Sequence, residues 1–162
     1  MSRLVVADAG PLIALATTGH LPLLQHLFQR VLIPEAVRDE LTLSSDRPGA
    51  GALSSAILQQ GWLVVHKVRA DASTTTALGQ GESEAILLAS REGALLLIDE
   101  RRGRRAARAA GVPVLGTGRV LLAAKRKGLL QQVTPVLDEL AAAGYRLPDA
   151  SVHRLRQLAG EP

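Results

Sequence analysis

Leu4-Val5-Val6-Ala7-Asp8-Ala9-Gly10-Pro11 sets four apolar residues before an acid, and places a proline where a helix would begin. The same order returns at Leu95-Leu96-Leu97-Ile98-Asp99. A short continuous apolar run is how a parallel strand covered on both faces reads. An acid directly behind it falls at the carboxyl end of that strand, where open α/β sheets place their ligands. Runs at 31–33, 63–65 and 112–115 bring the predicted strands to five, with the first two at 4–7 and 95–98. Between them, helical patterns are expected at 11–17, 22–28, 35–43, 50–60, 82–91, 102–110, 118–127, 135–143 and 150–159. Gly19, Gly61, Gly93, Gly111, Gly128 and Gly144 punctuate the helix ends. Stretches 44–49 and 67–76 read as loops. Strand–helix alternation predicts one α/β domain: a three-layer α/β/α sandwich around a mainly parallel central sheet.

The 162 residues suit a single domain of about 100–200. There is no cysteine, which excludes a disulfide framework and a thiolate metal site and fits a reducing, cytoplasmic setting. Phe28, Trp62 and Tyr145 are the only aromatics, too scattered to grip a single strand by base stacking. Any nucleic-acid contact is therefore expected to be mainly electrostatic. No apolar run reaches the roughly 18 residues of a membrane span, so no membrane partner is expected. The acid at position 8 speaks against a signal peptide. The net charge of +4 is uneven: residues 101–127 hold nine basic side chains and no acid.

Asp8 and Asp99 could each be a helix N-cap, a position that favours this residue type. Two glutamates add a second signal. At about 100° per residue, Glu40 falls among Val37, Leu41 and Leu43, and Glu82 among Ala85, Ile86, Leu88 and Ala89. Glu84 points away from that stripe. An unpaired carboxylate on an apolar face is expensive, although a short reach to solvent from a helix end would relieve it. Four carboxylates converging at strand ends would repel one another, and a divalent cation removes that conflict. Mg²⁺ and Mn²⁺ take carboxylate oxygens and water. His20, His26, His66 and His153 have no ligand spacing and read as surface or packing residues. Behind Asp99, Arg101, Arg102, Arg104, Arg105 and Arg108 share one helix face, and Gly103, Ala106, Ala107 and Ala110 share the other. That face suits phosphate contacts, or else solvent or acids on a partner chain.

Gly116-Thr117-Gly118 resembles a dinucleotide loop only in part, because Leu121 stands where the third glycine belongs. No phosphate-binding G-x-x-x-x-G-K-[ST] loop is present. Gly10 excludes the paired acids of a D-x-D phosphatase.

Four segments together resemble the PIN-domain family: Val5-Val6-Ala7-Asp8-Ala9-Gly10-Pro11, Ile33-Pro34-Glu35-Ala36-Val37-Arg38-Asp39-Glu40, Gly79-Gln80-Gly81-Glu82-Ser83-Glu84-Ala85-Ile86 and Leu97-Ile98-Asp99-Glu100. Gly116-Thr117-Gly118-Arg119-Val120-Leu121 is similar to a further segment of one bacterial and archaeal branch. The resemblance covers about 4–147, with 148–162 as a helical extension of the same domain. It implies an endoribonuclease using Mg²⁺ or Mn²⁺, often the VapC-type toxin of a toxin–antitoxin pair and often a homodimer. Asp8, Glu40, Glu82 and Asp99 carry over as catalytic, metal-holding acids, with Asp8 and Asp99 the first-choice ligands and Glu100 auxiliary. Arg101, Arg102, Arg104, Arg105 and Arg108 would hold RNA. Gly10 stands where many such toxins have Ser, Thr or Asn, and Glu82 where Asp is commoner. The alternative is a non-catalytic PIN-like module that binds RNA or protein.

Overall fold

The computed structural model describes residues 3–42, 46–69 and 78–162. The loop expected at 67–76 lies mostly outside them, as does part of the one at 44–49. In chain order the elements are β1 (Val5–Ala7), α1 (Ala9–Thr17), α2 (Pro22–Phe28), β2 (Val31–Pro34), α3 (Glu35–Thr42), α4 (Ala50–Leu58) and β3 (Leu63–His66). There follow α5 (Gln80–Glu92), β4 (Leu95–Leu97), α6 (Arg101–Ala109), β5 (Val114–Leu115), α7 (Thr117–Arg126), α8 (Thr134–Ala142) and α9 (Asp149–Ala159).

All five strands run parallel, in the order β3-β2-β1-β4-β5, and helices flank the sheet. This is the expected α/β sandwich. β1 sits at the centre, with Val5, Val6 and Ala7 fully buried. Leu32, Ile33, Leu96, Leu97 and Ile98 are buried with it. Burial of a Val or Leu side chain is worth about 1.5–3 kcal/mol, so these short apolar runs suffice to place the strands. The fifth strand is shorter than expected. Pro113 lacks an N–H, so it joins only through its carbonyl, which accepts from the Leu96 amide, and β5 begins at Val114.

Strand order reverses at β1. β2 and β3 extend to one side of it, and β4 and β5 to the other. The carboxyl ends of β1 and β4 therefore flank the switch point, where helices leave in opposite directions and open a crevice. The Asp8 amide donates to the Leu97 carbonyl at 3.0 Å, so the two strands stay paired up to the crevice.

The last helix is tied down by packing and by charge. Leu155 of α9 lies over Gly118 of α7, where a Cβ would collide with it. Beyond α9, the Glu161 carboxylate accepts from Lys125 Nζ and from the amides of Val133 and Thr134, each at 2.8 Å. Burial alone would raise this carboxyl. The ammonium and the donors at the start of α8 outweigh burial and hold it at about 2. A depressed acid stabilises the fold above its ordinary value of 4.5, and that gain is lost as pH falls toward 2. Glu161→Gln is expected to cost about 2 kcal/mol at pH 7, the scale of charge-assisted hydrogen bonds. In urea melts the gap to wild type should close between pH 4.5 and pH 2; a gap that stays constant over this range would contradict the assignment.

Candidate functional site

Asp8 follows β1 at the N-cap position of α1, yet its side chain makes no capping hydrogen bond. It is 7% exposed. Burial, first of all, pushes its carboxyl up to about 7. The Ala9 amide works against this, and the charges of Glu82, Glu40 and Glu100 add to it. A cap would have satisfied the carboxylate. Here it is buried and facing other acids.

Glu82, in the first turn of α5, is half-buried. Its carboxyl is raised by burial and then by Glu100 and Glu40, while Arg102 and the Gly79 backbone oppose the shift. Glu40 differs from the sequence expectation. The buried residues of α3 are Val37 and Leu41, and Glu40 is exposed. It reaches the site because its carboxylate folds over Gly81, where a Cβ would clash with Oε1. Partial burial there raises its proton affinity. Glu84, expected to point away, is 5% exposed and accepts from Gln80 Nε2 at 2.9 Å. A single apolar stripe misjudged it because α5 packs against β1, β2, β4, α3 and α6, and so is covered on several sides.

The two acids after β4 have distinct tasks. Glu100 caps α6, accepting from the amides of Arg102 at 3.2 Å and Gly103 at 2.8 Å, and its charge reaches Asp8 and Glu82. Asp99 turns toward α7. Its Oδ1 accepts from the Thr117 amide at 2.8 Å, and its Oδ2 accepts from both the Thr117 and Tyr145 hydroxyls at 2.5 Å. The structure thus groups Asp8, Glu40, Glu82 and Glu100 in one electrostatic field and sets Asp99 beside it. Tyr145 escaped sequence reasoning. It lies between α8 and α9, and its hydroxyl would stand 3.6 Å from a Cβ on Gly10. Burial, then the Asp99 charge, push its hydroxyl well above the usual phenol range.

The donors around Asp8 are all carboxylate oxygens, the set that Mg²⁺ and Mn²⁺ take. The charges of Glu82, Glu40 and Glu100, which add to burial in raising Asp8, are what a cation would offset. Among the described residues, no three acids stand as placed at chelating distance. Glu40 and Glu82 are long side chains with at least partial solvent access, and Glu100 is exposed while it caps α6.

On the Asp99 side lies a cavity of about 760 Å³ between α6, α7 and α9. Arg101, Arg104, Arg105 and Arg108 line it, whereas Arg102 lies near Glu82. Arg119 of α7 and Arg154 of α9 join them. Neither was singled out in the sequence, although Arg119 belongs to the acid-free stretch. Gly116 and Gly118 are explained by packing: a Cβ on Gly116 would meet Asp99 Oδ1 and Arg104 Nη1 at 3.1 Å, and Gly118 makes room for Leu155. Both glycines make room for protein side chains, which removes the dinucleotide-loop reading.

Among the described residues, no helix is long and apolar enough to cross a membrane. A PIN-domain family model (DUF3368) matches residues 4–161. Among solved structures, the chain is similar to a PilT N-terminus domain protein from the hyperthermophilic archaeon Sulfolobus solfataricus P2. The two are 18% identical over 74% of this chain and 92% of that one, with a TM-score of 0.54. This likeness is one of fold. A domain of a functionally unknown protein from Methanocaldococcus jannaschii DSM 2661 aligns at 16% identity over 71% of this chain and 91% of that one, with a TM-score of 0.48. A comparison with curated proteins returned no match.

Proposed function

Since the chain belongs to the PIN-domain family, whose members are commonly Mg²⁺-dependent nucleases, we propose that it is a metal-dependent endoribonuclease. The observation that carries this reading is the Asp8 carboxyl, buried at the sheet's switch point and raised to about 7 beside three glutamates. Asp8, Glu40 and Glu82 would hold Mg²⁺ or Mn²⁺, with Glu100 nearer to them than the sequence suggested. When bound, such an ion acidifies a water and offsets charge on the phosphate being cleaved. Asp99 is fixed by Thr117 and Tyr145 on the cavity side, between the acids and the arginines. Arg101, Arg104, Arg105 and Arg108 would hold the RNA backbone through its phosphates.

The finer proposal is a VapC-type toxin with an antitoxin partner, acting as a cytoplasmic homodimer. The second reading, a non-catalytic module that binds RNA or protein, is favoured because among the described residues no three acids stand at chelating distance. A mixed RNA pool incubated with Mn²⁺ or with EDTA separates the two. Cleavage only with Mn²⁺ is expected, and intact RNA under both conditions would leave the binding module.

The arginine reading has its own measurement. In EDTA, RNA affinity should fall about tenfold to a hundredfold as salt rises from about 50 to about 200 mM, the scale for a few phosphate contacts. Arg105→Ala should flatten that slope. Salt-independent binding would remove the electrostatic grip.

A further inference from the structure

The cavity between α6, α7 and α9 combines two surfaces that a simple phosphate patch does not need together. One is cationic. Arg104 and Arg108 come from α6, Arg119 from α7 and Arg154 from α9. Among the described residues, none of these four lies within salt-bridge distance of an acid. Arg104 has one arm tied to the Ile98 carbonyl at 2.8 Å. Its basicity is lowered by burial and then by Arg108, with only Asp99 opposing. Like charges gathered from three helices repel one another, and an anion would relieve the repulsion.

The other surface is apolar. Leu147, Leu155 and Leu158 line the same cavity. Leu155 is 6% exposed and seated over Gly118. The volume, about 760 Å³, falls within the range of about 300–1,000 Å³ typical of small-ligand sites.

We propose that this cavity seats one nucleotide, its phosphate on Arg119 and Arg154 and its base against Leu147 and Leu158. Guanidinium groups fit this ligand doubly. Their fork matches phosphate oxygens, and their planar face stacks on a base without an aromatic side chain. A peptide of Asp and Glu alone would satisfy the charges but has no flat apolar group for the leucine wall. The cavity opens beside Asp99, so a nucleotide held there would belong to a strand crossing the acidic site. In that respect the inference rests on the nuclease reading, but the seat itself can be tested without it.

Binding to the full chain is measured by calorimetry in EDTA, with adenosine 5′-monophosphate, ribose 5-phosphate, inorganic phosphate and a tetraglutamate peptide as probes. The nucleotide should bind at least tenfold tighter than ribose 5-phosphate. Arg119→Ala with Arg154→Ala should weaken it tenfold or more. Leu158→Asp should abolish the preference for the nucleotide over ribose 5-phosphate. Circular dichroism checks that each variant folds, and Leu158→Ala, with the same expected direction, replaces any variant that does not. Equal affinity for nucleotide and ribose 5-phosphate, undiminished nucleotide binding by the arginine variant, or a preference for tetraglutamate would each overturn the seat. Nucleotide binding without Mn²⁺-dependent RNA cleavage keeps the seat and removes the nuclease reading. Cleavage without a base preference does the reverse.

Discussion

Asp8→Asn is expected to abolish metal-dependent RNA cleavage and, without metal, to make the protein more stable above pH 7. The two effects share one cause. The Asp8 carboxyl is raised from 3.8 to about 7, so the folded protein binds a proton there more tightly than the unfolded chain does. An acid raised in this way costs nothing below pH 3.8. The cost grows as pH rises through 7 and is complete above it. A shift of this size corresponds to about 4 kcal/mol, an upper bound because the site can relax. Asparagine keeps the shape and carries no charge, so at pH 8 the variant should melt above wild type, with the gap closing near pH 4. Mn²⁺ should reverse the order by stabilising wild type alone. Identical melting at pH 8, or cleavage surviving in clean variant protein, would sink the assignment of Asp8 as the central acid.

The second large effect is structural. Gly118→Val places a branched side chain where the Leu155 methyls already lie, so Leu155 must turn away or α9 must move from α7. Overpacking of this kind costs about 1–3 kcal/mol. Since Arg119 and Arg154 sit on these two helices, displacing α9 should also weaken RNA binding beyond what the loss of stability explains. The measurement pairs urea unfolding with RNA affinity, both below the unfolding transition. A variant as stable as wild type would show that the α7–α9 contact yields easily.

Asp8 was legible in the sequence because it directly follows a strand that local apolarity identifies. The arginine face was legible for a similar reason, since helical period alone separates Arg104, Arg105 and Arg108 from Ala107. What local pattern could not give was contact across distance. Tyr145 meets Asp99 from 46 residues away, and only the return of the chain between α8 and α9 brings them together. Arg154 reaches the cavity in the same way. Glu40 shows a subtler limit. Its angular position on α3 suggested burial, but it sits near the helix end, so the backbone exposes it and only its long side chain folds over Gly81. The roles of Asp99 and Glu100 turned on which of two adjacent acids capped α6, a choice that strand and helix patterns do not make.

Tyr145 is the only tyrosine and Trp62 the only tryptophan in the chain. Tyr145 donates to the Asp99 carboxylate beside the acidic site. Trp62 is buried just before β3, at the amino end of the parallel strands and so at the far edge of the sheet, where its indole donates to Gln60 at 2.9 Å. The molecule thus carries two optical reporters at opposite ends of one sheet. A metal or nucleotide titration that shifts the tyrosine absorption while the tryptophan emission stays still would register occupancy of the crevice, and a change in both would register unfolding.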